Sequence, residues 1–216
     1  MPLTKENIQK SLEELRKNKK KRNFKESLEL IIKLKDLDLK KPENRINQTI
    51  ILPHDIGKPV KVCVIATGQL ALKSKEANAD LVLGKDQLTD LANDKKAARK
   101  LQQEYGFFIA EAPLMPLVGK TIGPTLGPRG KMPTPINSNA PIADVIDQAR
   151  RTIKIRIRDQ PVIQCRIGVE DMSDDSLSEN IQAIFSSIEG KLERGVRNIS
   201  KILIKTTMHE PVNLVL

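Results

Sequence analysis

Tryptophan is absent from this sequence, and its aromatics otherwise amount to one tyrosine and four phenylalanines. A protein that reads single strands by stacking successive bases on aromatic platforms needs more of them, so that mode of recognition is set aside. Cysteine is nearly as scarce. Cys63 and Cys165 lie far apart, in an apolar and an alternating run, and read as buried free thiols of a reducing cytosol rather than a disulfide framework. His54 and His209 are as widely separated, and no Cys or His spacing matches a metal site. No run of about 18 apolar residues occurs, which argues against a membrane-spanning helix. The opening MPLTKENIQK carries no apolar core of a secretory signal.

The glycine patterns of nucleotide sites are missing too. GKTIGPTLGPRGK, residues 119–131, contains Gly-Lys-Thr, the tail of a phosphate-binding loop. Such a loop needs a glycine separated by four residues from the Gly-Lys pair. Leu114 and Thr125 stand at those positions, and Met132 follows Lys131 where a magnesium-binding hydroxyl is required. The dinucleotide pattern G-x-G-x-x-G is also missing, since the βα turn ATGQLALK has a single glycine. A nucleotide-dependent enzyme therefore loses its best support, and no cofactor is expected.

What the chain has in abundance is positive charge. Its 216 residues carry 37 Lys and Arg against 27 Asp and Glu, a net charge of +10. That balance favours a polyanionic partner, nucleic acid first and an anionic membrane surface second. The densest run is RKNKKKRNFK, residues 16–25, with seven cations in ten residues. It reads either as a solvated helix end or as a phosphate contact.

Periodicity divides the chain. Residues 4–18 place Ile8, Leu12 and Leu15 on one helical stripe behind a Thr4 cap. SLELIIKLKDL and RINQTIIL alternate as half-buried strands of an antiparallel sheet. From about residue 60 the short apolar runs VKVCVIATG, DLVLG and FFIAEA alternate with helical segments, QLALKSKEANA and residues 86–105, the pattern of parallel βαβ units. APIADVIDQARRT is a further helix. From residue 153 alternation returns in IKIRIR, VIQCRIG and ISKILIKTTM. Between them lies a helix, SDDSLSENIQAIFSSIEGKL, whose Asp174, Asp175 and Glu179 read as dipole partners rather than an acid–base pair. The two ends share one character and the middle has another. The predicted fold is α/β with two domains: a discontinuous one, residues 1–66 and 154–216, and an inserted one, residues 67–153. The insert carries net +3 and the ends +7, which assigns the main polyanion contact to the ends.

Seven of the thirteen prolines fall within residues 113–141. Interleaved Pro and Gly predict a defined but irregular backbone. Gly127-Pro128-Arg129-Gly130-Lys131 would present two cations from it, either on a rigid connection or on a surface for RNA phosphates or a partner.

GPTLGPRGKMPTP (123–135), NFKES (23–27), TIILPHDIGKPVKV (49–62) and KTTMHEPV (205–212) together resemble the family of the universal large-subunit ribosomal protein number one, with residue choices similar to archaeal members. The resemblance runs through the chain in order. It implies a split β-α-β domain carrying both chain ends and a Rossmann-like, non-enzymatic insertion joined by two hinge strands. It implies a cytoplasmic protein, a monomer within the large ribosomal subunit, that binds ribosomal RNA at the base of a mobile stalk beside the exit site. Exit-site transfer RNA and a similar fold in the protein's own messenger RNA, which it represses, are the further implied partners. The implied RNA surface is Asn23, Phe24, Lys25 and Ser27 on the turn after the first helix, with Thr206, Thr207, Met208 and His209 after the last strand. Gln164 and Arg166 complete it. The family pattern is Thr-Met-Gly where this sequence has Thr207-Met208-His209. A ring at that position adds bulk where glycine lets backbone approach a ribose.

Other readings stand beside this one. Phe24 also suits a core position under the first helix, and Thr206 and Thr207 are ordinary strand residues. A DNA-binding regulator is a rival class, although no helix-turn-helix or basic zipper is recognisable.

Overall fold

The computed structural model describes residues 3–17, 22–39, 41, 44–57, 60–157 and 159–214. The chain divides into two compact units, Met1–Lys58 with Arg151–Leu216, and Pro59–Arg150. α1 (Lys5–Lys17), β1 (Ser27–Leu34) and β2 (Asn47–Ile51) open the first unit. The second contains β3 (Val62–Ile65), α2 (Gly68–Glu76), β4 (Leu81–Leu83), α3 (Lys85–Asn93), α4 (Lys95–Glu104), β5 (Phe107–Glu111), α5 (Met115–Thr121), α6 (Gly123–Leu126), β6 (Thr134–Ile136) and α7 (Ile142–Arg150). β7 (Thr152–Arg156), β8 (Val162–Val169), α8 (Asp174–Glu189), β9 (Ile199–Thr206) and β10 (Val212–Leu214) complete the first.

In the first unit the main sheet runs β10-β9-β1-β8, antiparallel throughout. β1 is an interior strand, held on both sides by strands from the other end of the chain. Its alternation does what a period of two dictates. Leu28, Leu30, Ile32 and Leu34 are buried, in one core with Ile8, Leu12 and Leu15 of α1 and Leu177, Ile181 and Ile184 of α8. Burying each such side chain contributes about 1.5–3 kcal/mol. The intervening positions form the other face: Glu29, Ile31 and Lys33 of β1, Gln164 and Arg166 of β8, and Lys201, Leu203 and Lys205 of β9. The two helices are also tied by ion pairs, Lys5 to Asp175 at 2.9 Å and Arg16 to Asp174 at 2.6 Å. β2 does not join this sheet; it pairs with β7 in a separate two-stranded ribbon.

The second unit is a parallel sheet of order β4-β3-β5-β6. Hydrophobic clusters cover both of its faces. One gathers Leu70 of α2 and Ile142 and Ile146 of α7 against Val62, Val64 and Ile109. The other gathers Leu88, Ala98, Val118, Ile122 and Leu126 against Cys63, Ile65 and Phe108. All four residues of β3 are buried, as expected of a strand covered on both sides.

Three expectations need correction. The unit boundaries fall at 58/59 and 150/151, not at 66/67 and 153/154. β3 pairs with β4 and β5, and so takes residues 59–66 into the middle unit, while Thr152 already pairs with Ile51. The helix expected over 86–105 is two helices. It breaks at Asp94, whose carboxylate accepts from the N–H groups of Lys96 and Ala97 at 2.8 and 3.0 Å and caps α4. The Gly/Pro stretch is mostly helical: α5, α6 and a single 3-10 turn over Gly127–Arg129 follow one another. Each begins with proline within its first two positions, Pro116, Pro124 and Pro128, where the missing N–H has no helical partner to lose. Gly130, in the left-handed region at φ 68°, ends the run.

Candidate nucleic-acid interface

The pairing of β1 with β9 sets Leu28 opposite Thr206 and Glu29 opposite Lys205. The entry to β1 and the exit from β9 therefore meet at one end of the sheet, and side chains clasp them together. The Thr207 hydroxyl accepts from the Ser27 N–H at 3.1 Å and donates to the Ser27 carbonyl at 3.3 Å. The Met208 N–H donates to Glu26 Oε2 at 3.1 Å. Arg22 lies 3.1 Å from the other Glu26 oxygen, an i,i+4 ion pair.

Glu26 is 1% exposed. Burial alone pushes its carboxyl up. The Met208 N–H, the Thr206 hydroxyl, and the charges of Arg22 and His209 outweigh that and hold it below the usual carboxylate range. A buried anion thus organises the two turns from beneath.

Around it the sequence-predicted residues fall as follows. Phe24 is 50% exposed and Met208 57%, so two large apolar side chains face water in the same cluster. Phe24 is not a core residue: it follows the last buried position of α1, Leu15, and precedes the first of β1, Leu28. Asn23 is exposed, and Lys25 is exposed and pairs with Asp171 at 2.7 Å. Ser27 is half-buried and Thr207 exposed. Thr206 is buried, which corrects its assignment to the surface. His209 is half-buried. On the neighbouring strand Arg166 sits opposite Glu29 and Gln164 opposite Ile31. Arg166, Glu29 and Lys205 make one row across three strands, beside the clasp. Partial burial draws the Arg166 guanidinium's pKa down, yet it stays charged at neutral pH. Residues 18–21, with Lys19, Lys20 and Lys21 of the basic run, lie outside the described residues.

Sequence reasoning missed Glu26, Arg22 and Lys205. The available signal was a lone acid between a cation run and a strand, four residues after an arginine.

The second expected contact, Gly127–Lys131, is altered. Pro128 and Arg129 are exposed. Lys131 turns inward: its ammonium donates to the carbonyls of Gln102 and Tyr105, both at 2.7 Å, and closes the C-terminal end of α4. Burial, then the charge of Arg129, draws its pKa down.

Among the described residues no group of three or more side chains could hold a metal ion. No described helix is long and apolar enough to cross a membrane. Cys63 and Cys165 are buried free thiols, each pushed up to about 12 by burial, with Glu29 adding to the effect at Cys165.

A split antiparallel unit with cations and hydroxyls at one sheet end, interrupted by a parallel unit, defines a mixed α/β protein whose chemistry suits a polyanion. Residues 8–209 match the Ribosomal protein L1p/L10e family, and the chain belongs to that family. Relatives called large ribosomal subunit protein uL1 agree. The one from Methanothermobacter thermautotrophicus is 46% identical over 194 residues, 90% of this chain and 92% of that protein. The one from Thermofilum pendens is 50% identical, over 90% and 86%. That of Archaeoglobus fulgidus is 44% identical over the full length of both. The family is one of ribosomal proteins, and the chain is not an enzyme.

Proposed function

We propose that this chain is a structural constituent of the large ribosomal subunit, in the cytoplasm, and that it holds ribosomal RNA through the clasped end of its antiparallel sheet. The observation that carries the reading is the clasp itself. It gathers Asn23, Phe24, Lys25 and Ser27 with Thr207, Met208 and His209, and puts Arg166 and Lys205 one row away. Cations there would contact phosphates and fix position. Hydroxyls and backbone groups would meet ribose 2′-hydroxyls, and Phe24 and Met208 would cover sugar or base edges. The unit of the two chain ends is then the RNA-binding domain, and the Arg129 turn offers a lesser contact. Family likeness favours a finer role: a monomer at the base of the mobile stalk beside the exit site, assisting release of deacylated transfer RNA and repressing its own messenger RNA.

Competition binding tests this. A labelled large-subunit RNA fragment is challenged with itself, with the protein's own messenger RNA and with duplex DNA at matched salt. RNA is expected to compete at least roughly a thousandfold better than duplex DNA. Ultraviolet cross-links are expected in peptides spanning residues 22–27 and 205–210. Equal competition by duplex DNA, or cross-links confined to residues 59–150, would overturn the reading.

A further inference from the structure

The parallel unit has its strand ends arranged like those of a ligand-binding domain. From β3 the chain passes through α2 to β4 on one side, then returns to β5 on the other. The gap between the carboxyl ends of β3 and β5 is a topological switch point, where doubly wound folds hold ligands, with phosphates at the N-terminus of the first helix. α2 starts here. Its N-cap Thr67 is extended and makes no cap bond with its own side chain, its first turn has no acid, and Gly68 has a φ of 56°.

An anion already sits in that place. Glu111, the last residue of β5, is 8% exposed. One carboxylate oxygen accepts from the Thr67 N–H at 3.1 Å and from the Thr67 hydroxyl at 3.0 Å. The other accepts from the Ser138 hydroxyl, just beyond β6, at 2.7 Å. The Ser138 bond leads in holding the carboxyl below its usual range; burial opposes it, and the two Thr67 bonds reinforce it. The group that belongs to a ligand elsewhere is here supplied by the chain.

We propose that Glu111 is the resident anion of this crevice: it occupies the phosphate position at the switch point, excludes phosphate and nucleotides from it, and fastens the ends of three parallel strands together. A second anion at the mouth of α2 would meet a like charge in a partly buried site, where both cannot stay ionised. The missing glycines of the ATGQLALK turn say that a pyrophosphate cannot approach closely. Glu111 says what took its place. The inference does not depend on the RNA reading.

Chemical rescue tests it on the full chain. In Glu111→Ala the donors of Thr67 and Ser138 are left facing a small vacancy. Melting is followed in sodium chloride, formate and phosphate at matched ionic strength, with neutral formamide as control. The variant is expected to melt lower than the parent in chloride and to recover in formate or phosphate. A saturable rise of roughly 2–4 °C corresponds to an anion at about five times its Kd. Formamide should give no rise, and the parent, whose RNA surface can itself take phosphate, should gain clearly less from formate or phosphate than the variant does. Should Glu111→Ala fail to fold, Glu111→Ser leaves a similar vacancy with a hydroxyl in it and is read the same way. A folded variant that melts identically in every medium sinks the proposal, as does a parent that gains as much from formate and phosphate as the variant.

Discussion

The Glu26 carboxylate is almost wholly buried and still ionised, so the clasp contains a charge whose loss can be measured. Its pKa is lower in the folded chain than the unfolded value of about 4.3. The stability it contributes is therefore present above that value and lost as pH falls through the folded one. Glu26→Gln keeps the shape but leaves Arg22 without its counter-charge. It should cost about 1–3 kcal/mol at pH 7 and flatten the acid limb below about pH 4.5; urea denaturation between pH 7 and 3 reads both effects. Thr207 is the companion case. Sequence alone makes it a surface hydroxyl at a fraying strand end, whose removal spares folding. The two bonds to Ser27 say otherwise. Thr207→Val should lower stability by about 0.5–1.5 kcal/mol. It should weaken specific RNA binding by a further 1–3 kcal/mol or so, roughly five- to 150-fold, with the salt dependence unchanged. Undiminished affinity would remove Thr207 from the interface. Both stretches, 23–27 and 206–209, were legible as motifs. The buried acid beneath them was not, because its burial depends on two turns some 180 residues apart coming together.

At the scale of elements, strong patterns were legible, down to the three-residue β4 in its apolar run DLVLG, and two short strands were not. Four consecutive apolar residues announce β3, and the period of two announces β1, β8 and β9. β6 and β10 have three residues each, too few to show any period, and exist through their pairing with β5 and β9. The Gly/Pro stretch was legible as rigid but not as helical, because proline marks a helix start as readily as it forbids a helix interior. Lys131 shows what that costs in site assignment: its charge looks presented and is instead used against the end of α4. Lys131→Met should lower stability by about 1–2 kcal/mol, the range for a cation at a partly buried helix terminus, and leave RNA affinity within twofold. Arg129→Ala should do the reverse, sparing stability. Equilibrium denaturation paired with RNA titration separates the two, and an RNA defect in Lys131→Met without a loss of stability would restore it as a contact.

For the whole molecule, the chain leaves and re-enters the first unit at adjacent points. Ile51 lies opposite Thr152, and the Leu52 N–H donates to the Arg151 carbonyl at 3.0 Å. Replacing residues 59–150 with a short Gly-Ser linker should give a folded protein, since the remaining unit has its own core. It keeps net +7 of the +10 and should bind the RNA fragment within about tenfold of the parent; a folded product without specific affinity would move the principal site to the insert. If about five phosphates are neutralised, log affinity against log salt should slope at roughly −3.5 to −4.5. Substituting Lys19, Lys20 and Lys21 together by alanine should flatten that slope. The division into ends and middle was legible from periodicity; its boundaries were not, because β3 reads alike in either unit until its neighbours are known. The interleaving also has a consequence in time. A ribosome makes the chain from its N-terminus, and units fold as they emerge. Every strand of the inserted unit is in hand by residue 150, whereas Leu30 of β1 must wait for Cys165 on one side and Ile204 on the other. The clasp cannot close until Thr207 has been made. A half-made chain can carry a finished parallel unit and still lack the clasp, so the clasp certifies that translation has passed that point.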